Sequence, residues 1–113
     1  MRRYTTPTLT LLAQVYDEQT DTYGPIDLTT YRVWVSIEQP HSQLEFADPT
    51  MELTEDGTLI TLRLTQEQTA RLCIGTAEVQ INWMTSDGTR GATDIGRLVI
   101  DRNLLGEVRE YGA

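Results

Sequence analysis

Residues 50–64 read TMELTEDGTLITLRL. Met51 and Leu53 alternate with polar neighbours, Ile60, Leu62 and Leu64 do the same, and Asp56-Gly57 lies between the two runs. A period of two is that of a strand with one buried face. Asp-Gly between two such runs is the strongest short hairpin signal, because glycine takes the positive φ that a tight turn demands. The stretch is therefore read as two antiparallel strands, and the same rhythm recurs on both sides of it.

Towards the N-terminus, YRVWVSIEQP (31–40) puts Tyr31, Val33, Val35 and Ile37 on one face and Arg32, Trp34, Ser36 and Glu38 on the other. Pro40 ends this strand, since it has no N–H to give a ladder. QLEFA (43–47) is a shorter strand with Leu44 and Phe46 inward. TLTLLAQVY (8–16) places Leu9, Leu11, Ala13 and Val15 together. Between these runs, DEQTDTYGPID (17–27) is acidic and broken by Gly24-Pro25. It is read as a loop after which Ile26 and Leu28 rejoin the core.

Towards the C-terminus, LTQEQTARL (64–72) leaves the period of two. Thr65 and Gln68 have capping-box spacing, and Glu67 stands in the first turn, where negative charge favours a helix. One short helical turn is expected near 66–73. VQINWMTSDGTRGATDIGRLVI (79–100) is a second hairpin. Ala77, Val79, Ile81 and Trp83 are its first inward set, and Ala92, Ile95, Leu98 and Ile100 its second. The second set is not strictly alternate, and Gly96 marks the expected bulge. Cys73, between apolar neighbours in ARLCIG, is read as a small buried hydrophobe.

The expected fold is all-β: an immunoglobulin-like antiparallel sandwich of six to eight strands, with the helical turn near 66–73 and a C-terminal helix as an option. The organisation is an extended N-terminal arm (1–7), a sandwich domain (8–102), and a tail or short helix (103–113) in which Leu104, Leu105 and Val108 have helix-like spacing. The chain of 113 residues fits one domain.

Seventeen acidic residues against nine basic ones, all arginine, give a net charge of −8. Such a balance disfavours binding to the phosphate backbone, so no nucleic-acid partner is expected. No apolar run has membrane-spanning length, and the residues after Met1-Arg2-Arg3 do not form a signal peptide. A single cysteine allows no internal disulfide, and the chain reads as cytoplasmic in origin. His41, the only histidine, falls in a turn. Asp17, Glu18, Asp21 and Asp27 form the densest carboxylate group, without EF-hand spacing. They are read as a solvated loop, with a calcium-stabilised loop as the sharper alternative. No nucleophile elbow, phosphate loop or metal-ligand cluster is present, so the expectation is no enzyme, no catalytic residue, no cofactor, no metal and no small-molecule substrate.

What remains is contact with other proteins. The candidate interface residues are Arg2, Arg3 and Tyr4 of the arm, Trp34 and Arg90 on the sheets, and Leu104, Leu105 and Val108 of the tail. Trp34 either fills space between elements or stands exposed as an anchor. Arg90 and Asp94 could form an ion pair across their loop.

Three segments carry a family resemblance: Leu64-Thr65-Gln66-Glu67-Gln68-Thr69, Val79-Gln80-Ile81-Asn82-Trp83, and Ala92-Thr93-Asp94-Ile95. They resemble small β-domain proteins encoded in phages and prophages of Firmicutes. The likeness runs over roughly residues 30–108. Gln68 stands where that group usually has a second glutamate, and keeps the capping role. The resemblance implies a virion-associated structural or assembly protein of the tail or baseplate region, with other phage structural proteins or further copies of itself as partners. It supplies no catalytic residues. The alternative is an acidic phage-encoded inhibitor of a host defence protein, in which the charge of −8 meets a basic cleft.

Overall fold

In the computed structural model, which describes residues 1–111, the hairpin of residues 50–64 is formed and lies in the first of two sheets. Its strands are β5 (Thr50–Thr54) and β6 (Gly57–Arg63). The others are β1 (Thr8–Asp17), β2 (Thr22–Pro25), β3 (Arg32–Gln39), β4 (Ser42–Ala47), β7 (Gly75–Met84), β8 (Arg90–Ala92) and β9 (Gly96–Ile100), with one helix, α1 (Gln66–Ala70). One sheet has the order β2-β1-β6-β5. The other runs β4-β3-β7, with β8 and β9 both on the far side of β7. All strand pairs are antiparallel. The chain crosses between sheets after β2, after β4 and through α1, so the two sheets form the expected all-β antiparallel sandwich.

The inward sets agree with the alternation for most strands. Val33, Val35, Ile37, Leu44, Ile60, Leu62, Leu64, Ala77, Ile81 and Trp83 are buried, and Leu9, Leu11, Val15, Phe46 and Val79 pack against them. Leu28 is fully buried at the first crossing. It is pinned by buried Thr58, whose hydroxyl accepts from Leu28 N–H (2.9 Å) and donates to Ile26 C=O (2.6 Å). The helix has the expected capping box: Thr65 Oγ1 accepts from Gln68 N–H, and the Gln68 side chain accepts from Thr65 N–H. Leu72 follows it and is fully buried, closing one end of the core.

Several expectations give way. Residues 17–27 are mostly a hairpin rather than a loop. Asp17 pairs with Thr22, and the rings of Tyr16 and Tyr23 lie 5.3 Å apart. Thr and Tyr suit a pleated surface, and Asp21 takes the tight turn at φ 54°. This hairpin and the divided return strand bring the count to nine among the described residues. The 55–56 turn is centred one residue earlier than Asp56-Gly57, since Thr54 pairs with Gly57. Gly57 is needed for another reason. Its φ is 140°, and a Cβ there would stand 2.3 Å from Ala13 C=O. Leu53, expected inward, is half exposed at the end of an edge strand.

Cys73 is exposed, not buried. The buried Gln39 side chain explains this. Its Oε1 accepts from Cys73 N–H (2.7 Å) and its Nε2 donates to Cys73 C=O (2.8 Å). The backbone of residue 73 is thus held inward while its side chain points out. The option of a C-terminal helix is not taken over residues 103–111, and the last two positions lie outside the described residues. Asn103 Oδ1 captures Leu105 N–H, and the Gln66 side chain bonds both N–H and C=O of Arg109. These contacts, with Gly106 between them, hold the segment in a non-helical path.

The return strand of the second hairpin is broken by a bulge. Asn82 pairs with Ala92 and Val79 with Gly96, so Gln80 and Ile81 face three residues, Thr93, Asp94 and Ile95. Thr93 repairs the ladder: Ile81 N–H donates to its hydroxyl and its N–H donates to Ile81 C=O. The extra residue reverses the side-chain phase. Leu98 and Ile100 therefore point inward, while Ala92 and Ile95, expected inward, are exposed. On β8 the inward position opposite Trp83 is Gly91, where a Cβ would stand 2.4 Å from the indole ring.

Candidate interaction surface

The predicted interface residues fall into two groups at different places. Arg2, Arg3 and Tyr4, expected in an extended arm, lie in a segment bonded to the rest of the chain. Residue 2 bridges Asp101 in a parallel sense, Arg3 N–H donates to Asp101 C=O (3.1 Å), and Asp101 N–H donates to Met1 C=O (2.6 Å). The Arg3 guanidinium bonds Ala70 C=O at the end of α1 (2.6 Å) and lies 4.9 Å from the Tyr4 ring centre. Buried Thr69 clamps the same segment, its hydroxyl donating to Thr5 C=O and accepting from Thr5 N–H. The arm is thus an added piece of the sandwich. The tail runs beside it: Arg2 donates to Arg102 C=O and Asn103 to Arg3 C=O. Leu104 is 89% exposed, and Leu105 and Val108 are also exposed.

Trp34 and Arg90 meet on the outer face of the second sheet. Trp34 pairs with Asn82 across β3 and β7, and Arg90 pairs with Met84 across β7 and β8. With Ser36, Glu45 and Asn82 they line a shallow hollow of about 340 Å³. Trp34 is part-buried, with the Arg32 guanidinium 5.7 Å from its ring centre. Arg32 also pairs with Asp48 (3.0 Å), which holds the Asp48 carboxyl below its ordinary range. Arg90 does not reach Asp94. It bonds Asn82, and Asp94 instead accepts from the Tyr23 hydroxyl. That bond and the Asp94 charge raise the Tyr23 pKa. The bulge accounts for the exchange of partners, because it swings Asp94 towards β2 and away from β8.

A third surface was not legible in the residue pattern. Between β1 of one sheet and β9 of the other lies a groove of about 280 Å³. Leu9, Leu11, Val79, Ile81 and Leu98 form its apolar floor and walls, Leu12 and Arg97 its rims. The Tyr23–Asp94 bond crosses from one sheet to the other at one end.

The groove also presents unpaired backbone. Leu64 N–H donates to Pro7 C=O, in register with Thr8 opposite Arg63. In an antiparallel ladder successive residues turn their polar groups alternately to the partner and away. Odd-numbered residues of β1 therefore face β6, and Thr8, Thr10 and Leu12 turn N–H and C=O outward. β2 covers that edge only from Gln14 onward. On β9 the arm's bonds to Val99 and Asp101 show that odd positions face outward there too. Arg97 accordingly offers both its groups to the groove.

Comparison with protein-family models, curated proteins and solved structures gave no match. The surfaces must then be judged by their own chemistry. Among the described residues no group of three or more His, Cys, Asp or Glu converges on a point that could hold a metal ion, the 17–27 carboxylates included. No described helix is long and apolar enough to cross a membrane. His41 is exposed in the β3–β4 turn. The β1/β9 groove combines apolar side chains with unpaired ladder groups, which is what an added strand requires. The one hint in the sequence is Leu11-Leu12, where an apolar residue interrupts the polar face of β1. The open edge itself arises from pairing, which no single strand encodes.

Proposed function

We propose that this chain is a non-enzymatic structural or assembly protein of a phage particle, acting through protein–protein contacts made at the open β1/β9 edge. The observation that carries the reading is that groove: unpaired N–H and C=O groups on both rims over an apolar floor. An exposed edge of this kind templates pairing with another chain, and proteins that do not use such an edge cover or charge it. Here its rim residue Leu12 is 42% exposed, and Val99 beyond it is exposed as well. The phage assignment rests on the resemblance of the three segments named above. Two of them, 79–83 and 92–95, build β7 and the bulge that shape the groove.

On this reading the chain is made in the bacterial cytoplasm and carried into the virion. The test is mass spectrometry of gradient-purified particles from cells carrying either the native gene or a Leu12→Asp allele. The native chain is expected in the particles and the variant is expected to be depleted. A native chain missing from particles refutes the virion role. Equal incorporation of both refutes the role of the groove.

A further inference from the structure

We infer that the strand that fills the groove is the C-terminal tail of a second copy of this chain. The inference rests on the reading of the β1/β9 edge as a contact site and names its occupant. Three observations lead to it.

The first is that the groove and the tail lack the same thing. Six residues of β1, Thr8 to Ala13, have no neighbour on their outer side. The tail, from Leu104 to Arg109, is an equally long segment without a strand partner, with its apolar side chains in solvent. Extended, six residues span about 20 Å.

The second is spacing and charge. In an extended tail Leu104, Gly106 and Val108 share one face and Leu105, Glu107 and Arg109 the other. The first face enters the gap between Leu11 and Leu98, with glycine in the middle. The second places Leu105 beside Leu12 and Glu107 at Arg97 on the opposite rim.

The third is that a chain cannot fill its own groove. The tail leaves β9 where residues 1–3 already lie alongside Val99 and Asp101. They block the edge against a turn back onto β9. The tail is led away instead, towards Gln66 at the start of α1. Its bonds there are exposed, so they can be given up to a neighbour. Donation from tail to groove joins unlike surfaces, and such a contact repeats into rings or filaments.

The test uses the full chain and two variants altered only at exposed positions: Leu12→Asp on the groove, and Leu104→Asp with Val108→Asp on the tail. Light scattering across concentration gives the mass, and thermal melting confirms folding. The native chain is expected to associate, and each variant to associate at least about tenfold more weakly. An equimolar mixture of the two variants keeps one intact groove and one intact tail. It is expected to form a heterodimer that grows no further. A tail variant that assembles like the native chain while Leu12→Asp does not overturns the tail as occupant and leaves the groove reading standing. A native chain that stays monomeric at all concentrations overturns self-donation, while the particle experiment still decides the groove. A mixture with no heterodimer overturns the donor–acceptor arrangement.

Discussion

Replacing Thr58 with valine tests how the first sheet is joined to the second. The two side chains have nearly the same shape, so the substitution leaves the packing of this fully buried position unchanged and removes the hydroxyl. That hydroxyl makes two bonds to the crossing segment, accepting from Leu28 N–H and donating to Ile26 C=O. Leu28 is itself fully exposed to no solvent, at 0% accessibility, so its N–H has no access to water as a substitute. A buried polar group deprived of its partner costs about 1–3 kcal/mol. Ile26 is only partly buried, and its carbonyl recovers some of the loss from water. The sum is roughly 2–4 kcal/mol for Thr58→Val. Thr58→Ser keeps the hydroxyl and loses one methyl group, which costs about 1 kcal/mol with its small cavity. The order Val worse than Ser reverses what hydrophobicity alone predicts. Urea denaturation followed by tryptophan fluorescence measures both, provided the slope with denaturant is unchanged. A Thr58→Val protein as stable as the native one, or more stable than Thr58→Ser, would refute the argument that these two bonds hold the crossing.

Other substitutions probe the elements around the groove. Gly91→Ala forces a Cβ into the Trp83 indole, so it should lower stability by about 1–3 kcal/mol, read as a drop in melting temperature with a changed near-ultraviolet circular dichroism band. Asp87 accepts bonds from the Thr85 hydroxyl and from Thr89 N–H, which lower its pKa to about 2 from 3.8. A depressed carboxylate stabilises the fold above its unfolded pKa, and the effect is lost as pH falls through the folded value. Carbon-detected NMR should show Asp87 titrating near pH 2 and the 85–89 turn loosening between about pH 4 and 2, with a normal Asp titration counting against the bonds. Cys73 is exposed, so a thiol reagent should modify the native chain to one equivalent without unfolding it, whereas a slow reaction limited by unfolding would place the sulfur inside.

The parts of the fold that could be read from the residues are those in which one strand declares its own buried face. β3 alternates cleanly because it packs a single face on the core, and β6 from Thr58 and β7 at Ala77, Ile81 and Trp83 bury the same inward sets that the sequence marks. The capping box could be read because Thr65 and Gln68 satisfy each other locally. The errors share a different cause. Cys73 points outward, against its apolar sequence neighbours, because its direction is set by Gln39, 34 residues away. Ala92 and Ile95 depart from the expected inward set because Ala92 lies before the inserted residue, in the phase opposite to Leu98 and Ile100, and Ile95 lies within the bulge. A bulge was expected at Gly96, yet its effect on phase appears only once the partner strand is known. The docking of the arm could not be read from residues 1–7, because its partners, Asp101 and Thr69, lie at the other end of the chain or in the helix.

The candidate site was the least legible feature for the same physical cause. Each predicted interface residue was chosen for what it is: a cation, an indole, an apolar side chain in a polar tail. A strand-accepting edge depends instead on what is missing beside it. β1 is long enough to be covered on both sides, but β2 turns away after four residues, where Gly24-Pro25 ends the ladder and Ile26 and Leu28 dive towards Thr58. β9 belongs to the other sheet, where it pairs with β7 and not with β1. Both edges stay open because of connections made for other reasons, two turns of chain that serve the core. The tail, for which the spacing of Leu104, Leu105 and Val108 left a short helix as an option, is better matched to this gap as a strand. Leu104 and Val108 stand four residues apart, a spacing that shares a face in either conformation. Gly106 between them weakens a helix by about 1 kcal/mol relative to alanine and leaves room where a strand passes close to another backbone. The groove and the tail therefore favour the same conformation for residues 104–109, and neither one alone would have selected it.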